Sequence, residues 1–91
     1  MDVHIEASKP PIPHQVTRRQ ARQALHLAGL LTSVPLIIAA IPDETTRKLA
    51  QIEWEDSLNF ERDRPLLISL ATALGLDSSE LDELFLQAYE L

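Results

Sequence analysis

The chain has 91 residues, which is enough for one domain and no more. Hydrophobic residues make up 45% and charged residues 24%, as in ordinary globular proteins, and the net charge of −6 disfavours binding to phosphate-rich nucleic acid. The absence of cysteine excludes disulfides and thiolate metal sites and is typical of a reducing compartment. The longest apolar stretch, residues 34–42, is too short to span a bilayer, so we expect a soluble protein with no membrane partner.

Residues 1–15 differ in composition from the rest of the chain and are predicted to form an extended arm rather than a domain. Residues 2–6 alternate polar and apolar side chains, which is the period of a short strand. Three prolines within residues 10–13 favour an extended polyproline II segment. The arm therefore suits addition to an exposed sheet edge of a partner or a neighbouring subunit, and the alternative is a frayed terminus. The arm residues that we expect to bind are Val3, Ile5, Pro10 and Pro11.

From residue 16 to residue 91 the sequence predicts consecutive helices. Thr17 and Gln20 form a capping-box pattern at the start of the first helix, and Gly29 is placed to end it. The second helix contains the run 36–41, which is apolar all round, so we expect it to be the most buried element. The same run could form a strand, but the preceding proline and the two alanines favour a helix.

Three more helices are predicted from local start and stop signals. Asp43 caps the third and longest, which extends to about Arg62. The fourth ends at Gly75, and the fifth begins with a second capping box, Asp77 with Glu80. The buried faces of these last two helices are predicted to be Leu67, Leu70, Ala71, Leu74, Leu81, Leu84, Phe85 and Ala88. The predicted fold class is all-α: a compact bundle of about five short helices preceded by the extended Pro-rich arm.

The third predicted helix carries two apolar stripes instead of one. One stripe consists of Leu49, Ile52 and Phe60, and the other consists of Ala50, Trp54 and Leu58. Glu53 lies between the stripes and Asp56 beside the first, which a helix with a single buried face would avoid. Three explanations stay open: a bend near Ser57, pairing of the acids with arginines of the first helix, or exposure of one stripe to a partner. Trp54 is expected either in the core or, with Leu58, in a partner-binding hot spot.

The sequence does not indicate catalytic or metal chemistry. His4, His14 and His26 have no nucleophile, base and orienting group at a readable spacing. The acidic residues within 53–56 lack the Glu-x-x-His pairs of metal sites in helical bundles, so a solvated acidic face is the simpler interpretation. We therefore expect no enzymatic activity and no cofactor.

Two features bear on nucleic-acid binding. Ala71, Gly75 and Leu81 match the small residue, turn glycine and buried aliphatic of a helix-turn-helix motif. The second helix of this pair has several acidic residues and no basic one, so it would be repelled from a major groove. The basic patch, on the first helix, consists of Arg18, Arg19 and Arg22. This patch is the feature that would support phosphate binding.

Three passages of the chain carry a family resemblance. They are residues 17–22 (TRRQAR) followed by Leu30-Leu31, residues 50–56 (AQIEWED) with Phe60, and residues 64–67 (RPLL) running to residues 73–76 and Leu84-Phe85. Together they resemble the small helical proteins encoded beside tail-fibre and tail-tip genes of tailed bacteriophages and prophages. The resemblance covers residues 16–91. It implies a role in the virion or its assembly and no enzymatic one, and it carries over no site residues.

The predicted function is that of a phage structural or assembly protein, located in the virion or the host cytoplasm. It would bind another tail protein, such as a fibre or tail-tip component, through the arm and an apolar patch near Trp54, and self-association is also open. The alternative is a small regulator that binds nucleic acid or inhibits a host protein.

Overall fold

The computed structural model describes residues 11–91. Val3, Ile5 and Pro10 lie outside the described residues, as does the predicted strand pattern of residues 2–6. In chain order the elements of the described part are β1 (Gln15–Thr17), α1 (Arg18–Leu27), α2 (Ser33–Ala39), α3 (Glu44–Asp56), β2 (Asn59–Glu61), α4 (Pro65–Ala73) and α5 (Ser78–Tyr89). The prediction of a mostly helical, compact fold is confirmed, and the correction is a small two-stranded sheet. None of these described helices is long and apolar enough to cross a membrane.

The sheet joins two stretches that were predicted to be arm and helix. β1 and β2 are antiparallel, with Val16 opposite Phe60, and both of these side chains are buried. The backbone N–H of Arg18 donates to the carbonyl oxygen of Leu58 at 2.8 Å, which continues the ladder beyond the strands. The prediction of consecutive helices is therefore wrong at β2, and β1 spans the predicted boundary between the arm and the helical domain. Strands of three residues are too short to show a period, and their pairing depends on residues far apart in the sequence.

Capping boxes begin α1 and α5, as predicted. The backbone N–H of Gln20 donates to Thr17 Oγ1 at 3.1 Å, and the backbone N–H of Thr17 donates to Gln20 Oε1 at 2.9 Å. Asp77 and Glu80 exchange the same two bonds, at 2.8 and 2.9 Å. Each pair satisfies two backbone groups that a helix start otherwise leaves unpaired.

Glycines follow α1 and α4 in the left-handed backbone conformation. Gly29 has φ of +76° and Gly75 has φ of +82°, a region that residues with a Cβ rarely adopt. After Gly75 the backbone N–H of Leu76 reaches back to the carbonyl oxygen of Ala71 at 2.8 Å, as in a Schellman motif. Both predicted helix ends are confirmed.

Helix α3 begins as predicted but ends earlier. The carboxylate of Asp43 accepts hydrogen bonds from the backbone N–H of Thr46 at 2.8 Å and from its hydroxyl at 2.7 Å. The helix ends at Asp56, because Ser57 has the extended dihedral angles φ −68° and ψ 132°. The predicted extension to about Arg62 is wrong, and β2 occupies part of that stretch.

The core consists of two adjoining clusters of buried side chains. The first joins α1, α2, α3, β2 and α4 and consists of Leu25, Val34, Ile38, Ala50, Trp54, Phe60 and Leu70. The second joins β1, α1, α4 and α5 and consists of Val16, Ala24, Ala71, Leu81, Phe85 and Ala88. Ala21, Leu67 and Leu84 pack against both clusters. A cavity of about 40 Å³ with an almost entirely apolar lining lies between them.

Helix α2 is less buried than its sequence predicted. Val34 and Ile38 lie four residues apart on one face and are each only 1% exposed. Leu36, in contrast, is 72% exposed. The apolar run forms a helix, as favoured, but only one face of that helix lies in the core, so the expectation that it is the most buried element is wrong.

Candidate interaction surface

Trp54 lies in the core. Its side chain is 5% exposed and stacks on Phe60, with ring centroids 5.5 Å apart and an interplanar angle of 29°. The guanidinium carbon of Arg22 lies 4.5 Å from the Trp54 ring centroid, close enough for a cation–π contact. Of the two positions that the sequence left open, the core position is therefore the one observed, and the indole cannot form a surface hot spot in this fold.

The exposed apolar surface of α3 is the other stripe. Leu49 is 62% exposed and Ile52 is 55% exposed, and their spacing of three residues places them on one face. Lys48 and Asp56 lie beside them and are exposed as well. Phe60, which was assigned to this stripe, lies instead in β2 and is buried. One apolar stripe of α3 thus faces solvent, as the third explanation requires, and a partner for it stays a prediction.

The other predicted binding residues among those described, Leu58 and Pro11, lie outside α3. Leu58 is 72% exposed and lies between α3 and β2. Pro11 is exposed at the beginning of the described residues. Trp54 and Leu58 do not share one surface, because the first is buried and the second is not.

Glu53 is paired with an arginine that the sequence analysis did not consider. Arg64 donates from Nε to Glu53 Oε2 at 2.9 Å and from Nη2 to Glu53 Oε1 at 3.2 Å. The hydrogen bonds and charge of this carboxylate raise the pKa of Arg64. The Arg64 side chain is 53% exposed, so solvent screening limits what the pair contributes to stability.

The basic patch of α1 contacts the carboxyl end of α3 through main-chain atoms. Arg18 donates from Nη1 to the carbonyl oxygen of Glu55 at 2.8 Å, and Arg22 donates from Nη2 to the carbonyl oxygen of Trp54 at 3.2 Å. The last carbonyls of a helix have no partner within it, and cationic groups there also interact favourably with the helix dipole. These arginines therefore act as tertiary caps of α3, and the pairing with its carboxylates, one of the three explanations left open, is not observed among the described residues. A carbonyl acceptor leaves no signal in the sequence.

The carboxyl end of α5 is also capped by α1. The side-chain amide of Gln20 donates from Nε2 to the carbonyl oxygens of Tyr89 at 3.3 Å and Leu91 at 3.4 Å. The same residue completes the capping box of α1, so it satisfies backbone groups of two helices at once. The sequence indicates only the local contact of Gln20, because the residues that it caps on α5 are distant in the chain.

The outer edge of β2 is unpaired within the described chain. Arg62 donates its backbone N–H to the carbonyl oxygen of His14 at 2.8 Å, which fixes which residues of β2 face β1. By the alternation of an antiparallel ladder, the backbone groups of Asn59 and Glu61 point away from β1. The Glu61 carbonyl accepts from the backbone N–H of Arg64 at 3.1 Å. The N–H and C=O of Asn59 and the N–H of Glu61 have no hydrogen-bond partner within residues 11–91.

The described part of the chain holds no group of three histidine, aspartate or glutamate side chains placed to bind a metal ion. His14 and His26 are both exposed, and His4 lies outside the described residues. Two surface features of the described residues are suited to contact with another macromolecule: the exposed apolar side chains of α3 and the outer edge of β2.

Comparisons of the chain with protein-family models, with curated proteins and with solved structures found no match. The resemblance to phage tail-associated proteins therefore stays a prediction from the sequence.

Proposed function

We propose that this protein is a structural or assembly protein of a bacteriophage tail that binds another tail protein through the exposed face of α3. The observation that carries the proposal is the pair Leu49 and Ile52, 62% and 55% exposed on a helix whose opposite face lies in the core. Covering such side chains with a partner's apolar surface is favourable, at roughly 25 cal/mol for each Å² removed from water. The resemblance of residues 16–91 supports the class of partner.

The N-terminal arm supplies a second contact in this proposal, with the tail partner or with a neighbouring subunit. Residues 2–6 alternate in polarity, with Val3 and Ile5 on one side, and Pro10 and Pro11 stiffen the connection to the helical domain. A stiff connection loses less conformational entropy when the arm binds. The virion and the host cytoplasm are the locations that fit a tail component.

The test of the α3 surface is co-purification with tail proteins of the same phage. The double variant Leu49→Ser/Ile52→Ser should melt like the parent chain, because both side chains are exposed, but should bind the tail partner at least tenfold more weakly. The matched control is Leu27→Ser/Leu36→Ser, which makes the same change at two positions that are each 72% exposed on α1 and α2. Unchanged binding by the Leu49/Ile52 variant contradicts the proposed surface, and a failure to capture any tail protein contradicts the proposed role.

The alternative of a nucleic-acid-binding regulator has weaker support. Its basic patch would need free guanidinium groups, whereas Arg18 and Arg22 donate to carbonyls of α3. A host protein bound through Leu49 and Ile52 is the other form of this alternative. Identifying the captured partner by mass spectrometry distinguishes it from a tail protein.

A further inference from the structure

The edge of β2 that has no partner strand within residues 11–91 has the pattern that a further strand requires. Asn59 offers a backbone N–H and C=O, and Glu61 offers a backbone N–H, all three on the side away from β1. Both residues are exposed. An exposed edge of this kind is a template for pairing with another extended segment, and natural proteins commonly cover or use it.

We propose that the β2 edge of one chain binds residues 2–6 of a second copy as a third strand. The inference names the partner of the arm and rests on the proposed function only in treating the arm as a binding element. The occupant is argued from the polar–apolar alternation of residues 2–6, from the complementary backbone groups of β2 and from the connection between the arm and β1.

An antiparallel register satisfies both the backbone and the side chains. With Ile5 opposite Phe60, the residues opposite Asn59 and Glu61 are Glu6 and His4. Opposing residues on neighbouring strands share a side of the sheet, so Ile5 and Val3 lie on the side of the buried Phe60 ring. The imidazole of His4 then lies beside the carboxylate of Glu61, a favourable cross-strand pair.

The position of β1 favours a second copy over the chain's own arm. The arm leads directly into β1, and β1 pairs with the opposite edge of β2. Three prolines within residues 10–13 favour a straight polyproline II segment, at about 3.1 Å per residue, so folding back across the sheet is disfavoured. A neighbouring chain presents the same edge without that reversal.

The first experiment measures self-association by sedimentation equilibrium over a range of concentrations. Glu61→Pro removes the outward N–H that the added strand needs and leaves the ladder with β1 intact, because that N–H points away from β1. Phe60, which precedes it, already lies in a strand, as a residue before proline prefers. The control is Glu61→Ala, which loses the side chain but keeps the N–H.

The full chain and the Glu61→Ala variant should self-associate, whereas Glu61→Pro and a chain lacking residues 2–6 should associate at least tenfold more weakly. Far-UV circular dichroism checks that each variant is folded. A full chain that is monomeric throughout, or association indifferent to Glu61→Pro, overturns the proposal. A monomer whose Asn59 and Glu61 amides are protected from hydrogen exchange also overturns it, because the arm then binds its own chain.

A second experiment avoids any change in β2. A synthetic peptide of residues 1–13 is titrated into the chain lacking residues 2–10, and backbone amide signals are followed by NMR. Saturable shifts of Asn59 and Glu61 support the proposal, and the absence of binding, or shifts confined to other elements, overturns it. Neither experiment depends on Leu49 and Ile52, so failure here leaves the proposed binding of a tail protein to be judged separately.

Discussion

The environment of Trp54 explains why a tryptophan stands among charged residues in the sequence. Phe60 covers one part of the ring, and the guanidinium group of Arg22 lies against another. The same arginine donates a hydrogen bond to the Trp54 carbonyl oxygen at 3.2 Å. The Arg22 side chain therefore makes two contacts with Trp54: a hydrogen bond to its carbonyl oxygen and a cation–π contact with its indole ring.

Replacing Trp54 with alanine should lower the free energy of unfolding by about 3–5 kcal/mol, as large-to-small changes at buried aromatic residues do. The loss follows from burial, since the side chain is 5% exposed and stacked on Phe60. Urea unfolding followed by far-UV circular dichroism measures it. The control is Leu58→Ala, at a position 72% exposed, which should change stability by no more than about 0.5 kcal/mol. Equal stability of the two variants would contradict the core assignment.

The cap at the amino end of α3 should make the effect of replacing Asp43 on stability depend on pH. Hydrogen bonds from the hydroxyl and the backbone N–H of Thr46 lower the pKa of Asp43 below its ordinary value of 3.8. A carboxyl group with a lowered folded-state pKa stabilises the fold above the ordinary value and loses that contribution as the pH falls through the lowered one. Asp43→Ala should therefore melt below the parent chain at pH 7, and the difference should shrink as the pH drops below 3.8.

The control for this cap is Asp43→Asn. Asparagine is also a good N-cap but carries no charge, so its melting difference from alanine should persist in acid. Melting temperatures from pH 2 to pH 7 give the comparison. A difference between Asp43→Ala and the parent that stays constant over this range would show that the carboxylate charge plays no part in the cap.

At the level of elements, α3 is held at its two ends by different means. Its amino end has a cap within the same segment, Asp43 with Thr46. Its carboxyl end is capped from another helix, by Arg18 and Arg22 of α1. Short-range caps can be recognised in a sequence because donor and acceptor lie within one turn, whereas tertiary caps require the fold to be known.

Arg22→Gln should destabilise the protein by about 1–3 kcal/mol, because it removes a charge-assisted hydrogen bond and a cation–π contact. Arg19→Gln is the matched control, since Arg19 is exposed, its bond to Gln23 Oε1 at 2.7 Å lies within α1, and its bond to the Leu91 carbonyl oxygen is long, at 3.5 Å. Chemical unfolding of both variants measures the difference. If the two losses are equal, the capping contacts of Arg22 are not what stabilises the carboxyl end of α3.

The helices could be predicted from the sequence, whereas the two strands could not. The starts of α1, α3 and α5 and the glycine ends of α1 and α4 follow from signals within a few residues, and the prediction of five helices is confirmed. Val16 was predicted to lie at the beginning of the helical region and Phe60 to lie in the third helix. Both belong to the sheet, since the partner of each lies in a distant part of the chain.

The candidate surface on α3 could likewise be predicted only in part from the sequence. The two apolar stripes of α3 were visible from helical spacing, but which stripe is buried depends on the neighbouring elements. Phe60 and Arg22 cover Trp54, so the stripe with Leu49 and Ile52 is left to solvent. The edge of β2, which has no partner strand in the part of the chain that the structure describes, could not be inferred without the strand itself.

On the scale of the whole molecule, β1 and β2 connect the beginning of the described chain to its middle and to α5. Arg62, directly after β2, donates from Nε to Asp82 Oδ1 on α5 at 2.7 Å. Val16 of β1 packs in the same cluster as Phe85 of α5. The short sheet therefore contacts the beginning of the described chain, its middle and α5, and its removal should destabilise all three.

Two truncations test the position of the boundary between arm and folded domain. A chain lacking residues 2–10 should keep the far-UV spectrum and melting temperature of the full chain, because both core clusters are built from residues 16–88. A chain lacking residues 2–17 loses β1, with the 3% exposed Val16 and the cap that Thr17 gives to α1. Burial of a valine contributes about 1.5–3 kcal/mol and an N-cap about 1 kcal/mol.

The longer truncation should therefore lower the stability by about 3 kcal/mol or more, a large part of the 5–15 kcal/mol that is typical of whole domains. Melting should be measured at concentrations low enough to keep the chains monomeric, so that arm-mediated association does not contribute. The variant Val16→Ala in the full chain isolates the side-chain part of the loss. If the chain lacking residues 2–10 is unfolded or melts at a much lower temperature than the full chain, the arm packs on its own helices. The boundary of the folded domain then lies within residues 2–10.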